Sequence, residues 1–250
     1  MFAYFGRPFF IRCILLLALV SLSNPSNSVG QQAFQDSVIL NNTKTFPPHW
    51  LEQKYLKAGL VNVQLIVPKV EVDLKYAGSK NFLGINFYDH FNRAYLQIDA
   101  IVKIKNAERL LELQFPYYHL VIFDAARPVS IQQQMWDSLK TPNKEKRKYL
   151  ASPLEKSLHN YGAAVDVGIA DQNGFLLDMG TCYDFFGELA HPNLEKKLFL
   201  SGDLSYRQIS NRQLLRKVMT DADFMPIDTE WWHVNSCSRK AAQEKYPLIE

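Results

Sequence analysis

Ser157-Leu-His-Asn-Tyr-Gly-Ala-Ala-Val-Asp166-Val-Gly-Ile169 is the stretch on which the reading of this chain turns. Its second half, Ala163 to Ile169, is a short apolar run interrupted by one acid, the pattern of a buried strand. An ionised carboxylate at Asp166, flanked by Val165 and Val167, is costly in a core unless it is paired or holds a metal. Its same-face neighbours, Ala164 and Gly168, are small and leave space for an ion. Gly162 permits the turn that would bring His159 back toward Asp166.

Other segments group around this one. Tyr118 to Phe123 reads as a second buried strand, ended by Asp124-Ala-Ala-Arg-Pro128. Pro128 suits the first turn of a helix running to about Leu139. Val70, Val72, Leu74 and Tyr76 alternate with polar residues, which predicts a half-buried strand. Ile98, Ile101, Val102, Ala107, Leu110 and Leu111 fall near helical spacing. The Lys-rich stretch from Lys140 to Lys156 reads as a solvated excursion. Ser210-Asn-Arg-Gln213 is a capping-box pattern before Leu214, Leu215 and Val218. Thr229 to Asn235 reads as a final strand. With no internal repeat and no shift of composition, the expected fold is one α+β domain. Its central sheet is mixed and largely antiparallel, flanked by helices.

Composition and charge narrow the function. The 250 residues carry 28 Lys+Arg and 25 Asp+Glu, a net charge of +3, with 47% apolar and 21% charged residues. That balance excludes a disordered chain and provides no basic footprint for nucleic acid. Residues 1–30 hold Arg7, Arg12 and no acid, then the apolar run Cys13 to Val20, then small and polar residues. This is the pattern of a secretory signal peptide, and the run is short of the ~20 residues that span a bilayer. Residues 31–250 are then the exported domain, with 31–55 as a loose lead-in, and no membrane anchor remains after cleavage. Removal of the signal takes two arginines, so 26 cations face 25 acids and the net charge is +1. The destination is the periplasm or the medium. Cys182 and Cys237 remain, either as a disulfide or as two free thiols. No pattern in the sequence sets the oligomeric state.

His159, Asp166 and His233 can form a three-ligand zinc site with one position open. Glu230 precedes His233 by three residues, as a base beside a metal ligand would. In a regular strand those two side chains point to opposite faces, so the pair requires a bulge, a turn or a strand end. Taken alone, each residue also fits a structural role: a satisfied core histidine, a hydrogen-bonded strand acid. The chain has neither the HExxH pattern of helical zinc proteases nor a GxSxG elbow.

The patterns SxHxxGxAxD at 157–166 and ExWH at 230–233 resemble the D-alanyl-D-alanine dipeptidases, VanX-type zinc peptidases of the hedgehog-like D,D-peptidase group. Val72 to Ala77 with Asn81 to Gly84, Phe123 to Pro128, Leu177 to Phe186 and Asn211 to Met219 match further family segments, so the resemblance spans roughly residues 60–237. It implies one zinc ion held by His159, Asp166 and His233, Glu230 as the catalytic base, and Arg127 as the arginine facing the oxyanion. Asp184 corresponds to the group that holds a substrate ammonium, and Ser157 and Asp124 to supporting groups on the substrate side. The motifs assign no residue to the substrate carboxylate. Ala126 departs from the family, which usually has an aromatic residue before Arg-Pro, and Val234 follows His233 where an aromatic is common. The implied activity is hydrolysis of D-Ala-D-Ala or a close D,D-dipeptide in peptidoglycan turnover. The alternatives are a D,D- or L,D-carboxypeptidase trimming longer wall peptides, and an inactive wall-binding module.

Overall fold

Two apolar runs form the centre of the sheet. His119–Asp124 and Ala164–Ala170 pair antiparallel, and all but the first of their residues are buried. These strands belong to a computed structural model that describes residues 48–250, which form one compact unit. The signal segment 1–30 and residues 31–47 of the lead-in lie outside the described residues.

In chain order the elements begin with α1 (Trp50–Lys57), β1 (Val61–Asn62), α2 (Val63–Ile66), β2 (Glu71–Val72) and β3 (Tyr95–Leu96). There follow α3 (Ile98–Gln114), β4 (His119–Asp124), α4 (Val129–Ser138), α5 (Asn143–Lys146) and β5 (Ala164–Ala170). The chain ends with α6 (Glu195–Ser201), α7 (Tyr206–Asp221), β6 (Met225–Pro226), β7 (His233–Asn235) and α8 (Arg239–Lys245). The main sheet has the order β2-β4-β5-β7-β6, with β2 parallel to β4 and the other neighbours antiparallel. β1 and β3 form a separate two-stranded ribbon. The fold is thus α+β with a mixed, largely antiparallel sheet. Ile101, Ile104, Ala107 and Leu111 of α3 are buried with the apolar residues of β4 and β5 in one core.

One irregularity positions chemistry. Ile122 pairs with Val167 and Asp124 with Asp166, so Phe123 is an extra residue in β4 and the strand bulges there. The bulge sets Asp124 directly opposite Asp166, and Asp166 in turn pairs with His233 on β7. Directly opposed residues share a face. Asp124, Asp166 and His233 therefore form a row across three strands.

Several expectations are corrected. Trp50 to Tyr55 are not a loose lead-in: α1 starts at Trp50 and buries Leu51 and Tyr55. Of the alternating stretch from Val70, only Glu71 and Val72 pair as strand. A 3₁₀ turn at Lys75–Ala77 follows, keeping Leu74 and Tyr76 buried. The capping box is Ser205 with Gln208, five residues before the expected one, so α7 begins at Tyr206. Ile98 and Val102 of α3 are exposed, and the buried stripe runs through Ala100 and Ile104 instead. The excursion from Lys140 is partly tethered, because the buried Lys146 donates to the Trp136 carbonyl at 2.6 Å and lies over its ring. Of the two states left open for Cys182 and Cys237, the structure has both thiols free.

Gly162 ends the 3₁₀ turn Leu158–Tyr161 with φ +64°, in the left-handed region. A Cβ there would lie 2.6 Å from Leu60 Cδ2 and 3.4 Å from the Gln97 backbone nitrogen. Gly162→Ala is expected to destabilise the fold by about 1–2 kcal/mol, mostly from the left-handed backbone. Denaturant unfolding reads this as a lower midpoint at constant slope, and an unchanged midpoint would contradict it.

Candidate metal centre and catalytic site

The row across the sheet becomes a cluster when His159 joins it. Ser157 Oγ accepts a hydrogen bond from the His159 N–H at 3.3 Å, and Asn160 Oδ1 accepts one from the Ser157 N–H at 2.7 Å. This box fixes the turn that carries His159 over the start of β5. His159 Nε2 then lies 3.4 Å from Asp166 Oδ1 and 3.3 Å from His233 Nδ1, and His233 Nδ1 lies 2.9 Å from the same Asp166 oxygen. His159, Asp166 and His233 form the one group of three metal-ligating side chains found among the described residues.

The outer nitrogens define which atoms face inward. His159 Nδ1 is 2.6 Å from the Ala125 carbonyl, which can only accept, so Nδ1 carries the proton. His233 Nε2 donates to Asn235 Oδ1 at 3.0 Å. With both outer positions protonated, the inner nitrogens point lone pairs at each other and at a carboxylate. Such a set is repulsive without a proton or cation among it. Ligands ~2.0–2.1 Å from a tetrahedral zinc are separated by ~3.3–3.4 Å, and the three distances here, 2.9, 3.3 and 3.4 Å, lie near that spacing. The donor set therefore fits a metal ion in chemistry and in size. Without metal, burial works against the His233 imidazolium, but the hydrogen bond and charge of Asp166 prevail and raise its pKa to about 9. Burial pushes the Asp166 carboxyl up, yet the two imidazoles outweigh it and hold the group well below the usual carboxylate range. Asp166 Oδ2 is occupied by the Tyr183 hydroxyl at 2.9 Å.

Glu230 reaches the same centre because β7 is shorter than expected. Thr229 to Trp232 are not strand: the chain bends there, and β7 begins only at His233. The strand end removes the alternation that would have separated Glu230 from His233. Glu230 Oε2 is 3.9 Å from His233 Nδ1. Burial raises the Glu230 pKa, with His233 pulling the other way. Trp231 is anchored through its indole N–H to Thr181 Oγ1 at 2.8 Å, and Trp232 packs edge-on against Tyr183.

Arg127 is 4% exposed and clamped. Its Nε donates to Asp124 Oδ2 at 3.0 Å, its Nη2 to the same oxygen, and its Nη1 to Gln132 Oε1 at 3.2 Å. Tyr88 donates to the other Asp124 oxygen at 2.7 Å. Asp124 is fully buried and does not face the cavity, so the expected place on the substrate side is corrected. Its oxygens are engaged in holding Arg127. Asp184 adopts φ +61° and accepts from the Tyr76 hydroxyl at 3.0 Å. Burial raises its pKa well above the ordinary value, and the nearby Asp166 charge adds to this.

These side chains line one cavity of about 240 Å³, below the ~300–1,000 Å³ usual for ligand pockets. His159, Asp166, His233, Glu230, Arg127, Asp184 and Ser157 all border it. Tyr149, Leu150 and Ala151 of the Lys-rich excursion form part of its wall. The sequence reading missed Tyr183, Tyr76, Tyr88, Gln132 and Asn235. Tyr76 and Tyr183 lie within the matching segments 72–77 and 177–186, which was the one signal for them, and Tyr88, Gln132 and Asn235 lie in none.

Comparison with known proteins gives a consistent match. The Peptidase M15 family, described as D-Ala-D-Ala dipeptidase, matches residues 56–248. The D-alanyl-D-alanine dipeptidase of Escherichia coli (strain K12) is 32% identical over 174 residues, covering 70% of this chain and 82% of the relative. That of Enterococcus faecium is 26% identical, covering 71% and 91%. The solved LdcB LD-carboxypeptidase is 21% identical with a TM-score of 0.37, covering 60% of this chain and 63% of its own, a likeness too distant to bear on substrate.

Proposed function

Since this chain belongs to the Peptidase M15 family of D-Ala-D-Ala dipeptidases, we propose that it hydrolyses D-Ala-D-Ala or a close D,D-dipeptide with one zinc ion at His159, Asp166 and His233. The observation that carries this is the convergence of two inward imidazole lone pairs and a carboxylate beside Glu230 and Arg127 in one small cavity. A bound zinc ion supplies Lewis acidity, polarising a carbonyl and making water acidic enough to lose a proton near neutral pH.

The chain's own groups do the remainder. Glu230 accepts the proton of the attacking water and returns it to the leaving amine. A carboxyl whose pKa burial has raised suits both tasks better than an ordinary one. Arg127 presents its remaining N–H groups to the oxygen on which negative charge develops. Asp124 and Gln132 hold its plane in advance, so it need not reorganise during reaction. Asp184 takes the substrate ammonium, which relieves the crowding of two buried carboxylates. Export to the periplasm or medium is part of this proposal and rests on the basic and apolar pattern of residues 1–30.

Substrate length tests the reading. The enzyme is expected to cleave D-Ala-D-Ala and to leave a wall pentapeptide ending in D-Ala-D-Ala intact, as followed by release of free D-alanine. Cleavage of the pentapeptide alone would overturn the dipeptidase reading in favour of a carboxypeptidase.

A further inference from the structure

A dipeptide also carries a free carboxylate, and the geometry points to Arg239 as the residue that binds it. This inference rests on the dipeptidase reading above. Two arginines border the cavity, Arg127 and Arg239. Carboxylates are best recognised by a guanidinium edge that offers two parallel N–H groups. On Arg127 that edge is already engaged, because Nε and Nη2 both donate to Asp124. One N–H remains on each of its Nη1 and Nη2, and the role assigned above commits these to the developing oxyanion.

Arg239 is arranged the other way. Its Nη1 donates to the backbone carbonyls of Glu155 and Lys156, at 2.9 and 2.5 Å. Those two bonds engage both Nη1 protons. Nε and Nη2 have no hydrogen-bond or ion-pair partner among the described residues. The fork edge is therefore free, while the opposite end of the same planar group is pinned. Pinning matters because an arginine held by backbone loses less rotamer freedom on binding than a loose one. The anchor also sets its location: Glu155 and Lys156 lead directly into Ser157, and both Ser157 and Asn235 share the cavity wall with Arg239. Asp184 borders the same cavity, held there by the Tyr76 hydroxyl. A cavity with an acid for the ammonium and a cation for the carboxylate can recognise both free ends of a dipeptide. Arg239 is exposed, so a longer peptide that fails to reach it forfeits the fork contact without burying a bare charge, and the discrimination is one of affinity.

The test compares D-Ala-D-Ala with its C-terminal amide, using zinc-loaded wild type, Arg239→Gln and Arg239→Lys. Wild type is expected to prefer the free acid. Arg239→Gln should raise KM for the acid roughly tenfold to a hundredfold with kcat little changed, and leave kinetics on the amide as they were. Arg239→Lys, which keeps a charge without the fork, should fall between. An equal loss on acid and amide would make Arg239 a structural pin only and overturn the assignment, as would no effect on either. If wild type cleaves neither compound, the dipeptidase reading itself fails and this inference falls with it, a result distinct from the other two.

Discussion

Replacing Glu230 by Gln is expected to lower kcat by about 10²–10⁴-fold, the usual contribution of a positioned general base. The amide keeps the shape of the side chain and cannot accept the proton. Glu230 stands outside the three-residue cluster, 3.9 Å from His233 Nδ1, so metal content should stay at the wild-type level. kcat and kcat/KM should fall together, because the lost interaction exists only in the transition state. The measurement is steady-state hydrolysis beside metal analysis of the same sample. A variant within tenfold of wild type would remove Glu230 from the role of base. A variant that lost its metal would make Glu230 a ligand instead.

Replacing His159 by Ala is expected to weaken metal binding by more than the ~10–100-fold that removal of an outer partner costs. His159 supplies one of three inward donors, and its ring is fixed before metal arrives by the Ala125 carbonyl and the Ser157–Asn160 box. The comparison variant is Asn235→Ala, which removes only the acceptor on His233 Nε2 and should stay inside that smaller range. Competition with a chromophoric chelator reads both. Folding is monitored by thermal unfolding, since His159 also joins the turn to β4. Wild-type metal affinity in His159→Ala would reject its assignment as a ligand.

The residues that build the site were legible because their chemistry conflicts with their neighbours. Asp166 inside Ala-Ala-Val-Asp-Val-Gly-Ile and a histidine three residues before a glycine stand out in any apolar context. The strands at His119–Asp124 and Ala164–Ala170 were legible for a related reason: both are near-continuous apolar runs buried on two faces. What the residues did not reveal was register. The bulge at Phe123 aligns Asp124 with Asp166, and no local pattern distinguishes this from a regular strand that would have shifted Asp124 by one residue. The role of Asp124 changed accordingly, from a group near substrate to the anchor of Arg127.

Two misreadings share a cause. Thr229 to Asn235 has the β-branched and aromatic content of a strand, yet the chain bends until His233 because Trp231 and Trp232 are fixed by Thr181 and Tyr183. Tertiary packing overrode propensity, and the override is what lets Glu230 approach the metal ligands. Leu51 and Tyr55 likewise make a helix of a segment whose composition reads as loose, because the core supplies a surface for them. The capping box is different. Ser205-Tyr-Arg-Gln208 carries the same signature as Ser210-Asn-Arg-Gln213, and only the paired hydrogen bonds show which one starts the helix.

The central claim is that a metal held by His159, Asp166 and His233 makes this cavity a D,D-dipeptidase. Its most direct test is hydrolysis of the four stereoisomers of alanyl-alanine by the purified protein, after chelation and after zinc is restored. The account predicts cleavage of D-Ala-D-Ala, loss of that activity with the metal, and recovery with zinc. Undiminished cleavage by protein shown to be metal-free, or failure of the zinc-loaded protein to cleave the D,D isomer, would contradict it.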